Sequence, residues 1–215
     1  MSVVSRKEPV AELDYGGRDA GPPVERRDAT HNRLKILDAA RMLFAERDIT
    51  SVTMEDVARA AGVGKGTLYR RFPNKGLLCQ ALLDEPTRLV QAEAMKLVSS
   101  PGDPLDKLGK FLAMLVEFVE ENLDLLYGGN EPLCGADRLA RFAHPAYDWR
   151  RWTILGLLQA AERAGELESD LDLEYIAAAI LAPLDVDFYY YQRRVRGYSK
   201  ERVCAGIRSL VPRKT

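Results

Sequence analysis

The sequence predicts an all-α chain in two unequal parts: a three-helix head built around a helix-turn-helix, and a larger helical bundle behind it. Three observations predict this. From Thr30 onward the apolar residues recur at three- and four-residue intervals, the stripe of an amphipathic helix. Alternating β-branched runs bounded by turn residues, the marks of strands, are missing. Two short helical segments meet at a tight glycine turn, Gly62-Val63-Gly64.

The elements follow in order. Residues 1–27 include Pro9, Gly16, Gly17, Gly21, Pro22 and Pro23, show no period, and are expected to be a disordered tail. Thr30 or Asn32 suits the N-cap of a first helix whose stripe is Leu34, Ile36, Leu37, Ala40, Leu43 and Phe44, ending near Asp48. Thr53 is placed to cap a short second helix, with Asp56 three residues on as a weakened capping box. Glu55 and Asp56 at its first turn suit the positive end of the helix dipole. Gly62 supplies the left-handed residue that ends it at least cost. In the third helix Leu68 and Phe72, four apart, share the buried face and leave Lys65, Gly66, Thr67, Tyr69, Arg70 and Arg71 on the others. Pro73-Asn74 closes it, and a connecting helix starts near Lys75. Beyond Pro86, helices are expected over 89–98, 105–126, 146–164, 173–191 and 200–210, with Pro183 kinking the fourth of these rather than ending it. The domains are then residues 28–78, the helix-turn-helix head, and 79–215, the body.

Composition narrows the function. A chain of 215 residues with 47% hydrophobic and 29% charged residues can bury a proper core. It contains no apolar run of transmembrane or signal-peptide length, so a cytoplasmic protein without a membrane partner is expected. Cys79, Cys134 and Cys204 share no metal-ligand spacing and read as reduced thiols. With His31 and His144 the only histidines, neither a metal nor another cofactor is expected. Nucleophile motifs, phosphate-binding loops and clustered acid pairs are lacking, so the chain is not expected to be an enzyme. The net charge is only −1, but between Arg26 and Lys75 eleven basic residues face six acidic ones, whereas acids outnumber bases from Gly76 onward. A basic head on an acidic body is the asymmetry expected when one segment alone meets phosphates.

Three runs carry a family likeness: Ala39-Ala40-Arg41-Met42-Leu43-Phe44, Thr53-Met54-Glu55-Asp56-Val57-Ala58, and above all Val63-Gly64-Lys65-Gly66-Thr67-Leu68-Tyr69-Arg70-Arg71-Phe72-Pro73-Asn74-Lys75. Together they resemble the DNA-binding domain of the tetracycline-repressor (TetR-like) family. The resemblance implies a transcriptional regulator, a repressor released from a palindromic DNA operator by a small, largely apolar or aromatic ligand. It also implies phosphate contacts by Tyr69, Lys75 and Thr53, which position a protein on DNA without reading sequence. The residues themselves add that Lys65, Gly66 and Thr67 sit at the end of the third helix that enters a groove. There Gly66 admits close backbone approach, and Thr67 and Lys65 offer a hydroxyl, a methyl and an amine to base edges. Arg70 and Arg71 point about 100° apart, so only one can face the groove. Tyr69 packed on the first helix, and Lys75 as a solvated loop lysine, stay open as structural alternatives.

For the body the resemblance supplies architecture alone. Aromatic and polar residues of the middle helices, Phe111, Met114, Phe118, Tyr147, Trp149, Trp152, Gln159 and Phe188, are the candidates for lining a ligand cavity. Each is equally explicable as core. The periodic residues Leu173, Ile176, Ala177, Ile180, Leu181 and Leu184, with Val203, Ile207 and Leu210, fit the place of the family's homodimer interface through its last two long helices. An activator, or a ligand-independent DNA-organising protein, shares the same head and remains open.

Overall fold

The structure, a computed structural model, describes residues 23–129, 142, 145–168 and 170–214, with side chains from Thr30 onward. Among the described residues there are ten α-helices and no strand; one isolated bridge, Leu167 to Arg213, ties the C-terminal segment to the loop before α8. Cys134 and His144 lie outside the described residues.

The head is α1 (Pro23–Glu46), α2 (Met54–Ala61) and α3 (Lys65–Arg71), with a 3-10 turn at Ile49–Ser51. Helix α1 begins seven residues before the expected Thr30, inside the segment assigned to the tail. Pro23 occupies its first position, where a missing N–H costs nothing and the fixed φ is already helical. The capping box of α2 is complete: the Thr53 hydroxyl accepts from Asp56 N–H at 3.1 Å, and the Asp56 carboxylate accepts from Thr53 N–H at 3.1 Å. Gly62 lies at φ +63°; Val63 N–H donates to Ala58 O at 3.0 Å and Gly62 N–H to Arg59 O at 3.2 Å. That pair of bonds closes the last turn of α2 and requires the left-handed residue between them. The buried side chains of the head are Ile36, Leu37, Ala40, Val52, Val57, Leu68 and Phe72, joined by Leu78 and Leu82.

Leu78 and Leu82 belong to α4 (Lys75–Ser99), a 25-residue helix that runs through both domains, capped by Asn74, whose side chain accepts from Leu77 N–H at 2.8 Å. The expected boundary after residue 78 therefore falls inside a helix. Pro86 lies inside α4, so the helix starting near Lys75 and the one expected over 89–98 are one: proline removes one ladder bond, but no capping residue there starts a new helix, and the apolar period resumes on the far side. Asp103 caps α5 (Pro104–Glu121). The expected continuous helix 105–126 is divided at Asn122, whose side-chain amide donates to Phe118 O at 2.8 Å and competes with the ladder, and α6 (Leu123–Gly128) follows. Helix α7 (Pro145–Arg163) matches expectation. Pro183 ends α8 (Leu173–Leu181) rather than kinking it. A 3-10 turn at Ala182–Leu184 leads to Asp185, which is extended at ψ 132° and caps α9 (Val186–Tyr190). One π-helical turn, Tyr191–Val195, precedes α10 (Lys200–Ser209).

The body core is formed by α5, α7, α8 and α10, centred on Leu108, Phe111, Leu112, Ile154, Leu158 and Ile180. Contrary to the assignment to a subunit interface, Leu173, Ala177, Ile180, Leu181, Leu184, Val203 and Ile207 are buried within the one chain; Leu210 is exposed and Ile176 half-buried. Periodicity identified the buried face but not what buries it.

Candidate nucleic-acid interface and ligand cavity

Helix α3 is held from behind by Leu68, which is fully buried, and by Phe72. Its start has no side-chain cap; Thr67 and Leu68 N–H donate to Gly64 O instead. Gly66 is required by nothing inside the protein, since a Cβ there would meet no atom within 4 Å and its φ is not left-handed. It is therefore spare as far as the fold is concerned, whereas Gly62 is not. Tyr69 is 44% exposed, so it does not pack into the head. Lys65 pairs with Glu55, both exposed. Arg70 folds back to Gly66 O at 3.3 Å, and Arg71 is exposed.

Two expected phosphate contacts have partners within the chain. The Thr53 hydroxyl donates to Asp56 at 2.8 Å, so its proton is committed to the cap. The Asp56 carboxyl is held below the ordinary carboxylate range by these Thr53 bonds, with smaller help from Arg47 and Arg59. Lys75 donates to Ile49 O at 2.8 Å and Thr50 O at 3.4 Å, pinning the start of α4 to the turn between α1 and α2.

A cavity of about 950 Å³ lies between α4, α5, α6, α7 and the turn after α8. Of the eight candidates for lining it, the structure brings Phe118 and Tyr147 to its wall. Phe111 and Trp149 instead pack edge to face in the core, ring centroids 5.7 Å apart, and Met114 packs beside that core. Trp152, Gln159 and Phe188 are exposed, Trp152 beneath the Arg151 guanidinium at 4.2 Å. Aromatic character alone could not separate these fates. The sequence reading missed Phe142, edge to face with Tyr147 at 5.4 Å, and the α4 residues Leu77, Gln80, Leu83 and Thr87. It also missed Arg150, which lines the cavity with its guanidinium 5.8 Å from the Phe118 ring. The opposite face of α4 carries Leu78 and Leu82 into the head core, so one helix is wall to the cavity and floor to the head. Cys79 is buried in the same stretch, and that burial pushes its thiol up to about 11.

Glycines make the seam between head and body. A Cβ on Gly128 would meet Ile49 Cγ2 at 2.8 Å, one on Gly76 would meet Gly129 O at 2.8 Å, and one on Gly129 would meet Cys79 Cβ at 2.6 Å. None of the three has a left-handed φ, so close approach rather than a turn demands them.

Residues 36–82 match the family of bacterial regulatory proteins described as the tetR family. The chain is 25% identical over 181 residues to an HTH-type transcriptional regulator of Staphylococcus aureus, covering 83% of this chain and 91% of the relative. It is 29% identical over 170 residues to the HTH-type transcriptional regulator TtgR of Pseudomonas putida, covering 74% and 79%. Its fold is similar to that of Thermus thermophilus FadR, a TetR-family transcriptional repressor in complex with lauroyl-CoA, with TM-score 0.61, 23% identity, and 83% and 90% of the two chains covered.

Proposed function

We propose that this chain, whose residues 36–82 match the tetR family of bacterial regulatory proteins, is a DNA-binding transcriptional regulator that works as a cytoplasmic, homodimeric repressor released from a palindromic operator by a small, largely apolar or aromatic ligand. The observation that carries the proposal is the double duty of α4, whose Leu77, Gln80 and Leu83 line the cavity while Leu78 and Leu82 sit in the head core. A ligand that fits the cavity of one head arrangement better than another shifts the population toward it, and only by that difference in affinity. Lys65, Gly66 and Thr67 would meet base edges, Tyr69 and one of the two arginines would meet phosphates, and Thr53 and Lys75 would support this surface through their internal bonds. Dimerisation would cover the outer aromatic face of α8, α9 and the π turn. There Tyr175 is 73% and Val195 65% exposed beside exposed Phe188 and Tyr191.

The test is selection of bound sequences from randomised duplex DNA by the purified protein. Two half-sites related by a dyad, about 34 Å apart, are expected of two recognition helices in successive major grooves. Failure to enrich any sequence would sink the repressor proposal. Release of the selected duplex by a small apolar compound would support ligand control, and an equal grip on DNA with and without every compound that enters the cavity would remove it.

A further inference from the structure

We propose that the effector of this cavity is an amphiphile: an apolar body carrying one anionic group, a carboxylate or a phosphate, which the Arg150 guanidinium receives. The inference rests on the ligand-responsive reading above and narrows it. Among the described residues four charged ones line the cavity: Asp84, Arg88, Asp185 and Arg150. Arg88 is paired with Glu85 at 2.7 Å. Asp84 is paired with Arg33 at 3.3 Å, and Asp185 caps α9 by accepting from Asp187 N–H at 3.2 Å. Arg150 differs from all three. Among the described residues no carboxylate lies within ion-pair distance of it, and its recorded neighbour is the face of Phe118. Burial alone, with no acidic neighbour to offset it, lowers its pKa from the ordinary arginine value.

A guanidinium presents a planar fork of donors that matches a carboxylate or phosphate and keeps its charge when partly desolvated. Left against an aromatic ring, in a wall that also carries Val119, Leu125, Leu126, Tyr147 and Val186, it is a costly feature for the free protein. An incoming anion removes that cost, while the apolar wall accepts the rest of the molecule. A purely apolar ligand would leave the charge unmatched and bury it further.

The experiment is calorimetric titration of the intact protein with dodecanoate, dodecyl phosphate and dodecanol, which share a chain and differ in head group. It is repeated with Arg150→Met, which keeps the apolar stem, and Arg150→Lys, which keeps the charge. The wild type should bind at least one of the two anions about tenfold or more tightly than the alcohol, the scale of one charge-assisted hydrogen-bond pair. Arg150→Met should erase that preference while still binding dodecanol, and Arg150→Lys should restore part of it. Whichever anion binds tighter identifies the head group. Equal binding of alcohol and anions by the wild type, or a preference that survives Arg150→Met, overturns the inference and leaves the ligand-controlled repressor standing. Binding of none of the three overturns it as well, whereas loss of ligand control itself would show in the DNA-release assay.

Discussion

The head and the body use their residues in opposite ways. In the head the side chains that hold the fold, Leu68, Phe72 and Val57, are buried, and the residues proposed to meet DNA, Lys65, Gly66, Thr67 and Tyr69, stand outside the core. In the body the same residue serves both purposes: Phe118 is part of the core and part of the cavity wall. Stability and recognition are therefore separable by single substitutions in the head and entangled in the body.

Four variants break or sharpen that contrast, from the largest effect to the smallest. Phe118→Ala should cost about 3 kcal/mol or more of unfolding free energy, in the range for buried phenylalanines, and should weaken ligand binding in parallel. A ligand affinity unchanged in this variant would show that the body, too, separates the two roles. Glu120→Gln comes next. Arg193 donates to that carboxylate at 2.6 and 2.7 Å, and the Tyr189 hydroxyl donates at 2.8 Å. Those bonds, Arg193 first, hold Glu120 below its ordinary value of 4.5. Because the folded-state pKa is the depressed one, the stabilisation is complete above the unfolded-state value and is lost as pH falls through the folded one. Denaturation curves of wild type and Glu120→Gln should differ by a constant amount near neutrality and converge in acid; a gap that widens in acid would contradict the geometry.

Gly66→Ala reverses the usual sign. With space for the methyl and a helical backbone, it should stabilise the protein by up to about 1 kcal/mol, yet weaken operator binding, because the methyl stands where the backbone would approach the groove. Thermal unfolding and a DNA titration on one preparation measure both, and unchanged DNA affinity would place Gly66 away from the groove. Tyr69→Ala should move stability by no more than about 0.5 kcal/mol. It should lower affinity for all duplexes alike, as loss of a phosphate contact does. A changed sequence preference would mean that Tyr69 touches bases.

The same division decided what could be read from the sequence. Thr53 with Asp56, Gly62, and Leu68 with Phe72 act within a few residues of one another, so spacing was enough to assign them. The two prolines show where local chemistry stops being sufficient. Pro183 read as a kink but ends its helix, because Asp185 is there to cap a new start, whereas α4 runs on through Pro86, after which no residue caps one. The cavity is more distant still: it exists where five elements fail to fill space, which no segment encodes alone. Trp149 and Tyr147 lie two residues apart on one helix, and one is spent on Phe111 while the other faces the cavity. Arg150 stood out only once its missing counter-charge could be seen in three dimensions.

The glycine seam bears on which displacements the head can feel. Backbones at Gly76, Gly128 and Gly129 already sit about as near their neighbours as atoms allow, so the joint is stiff under compression and has no slack to take up. A thrust from α6 toward the head presses Gly128 on Ile49, whereas a retreat of α4 is held back by the Lys75 bonds to Ile49 O and Thr50 O. Such a joint is held in both directions, and a single methyl added at any of the three glycines would force the neighbouring segments apart whatever occupies the cavity.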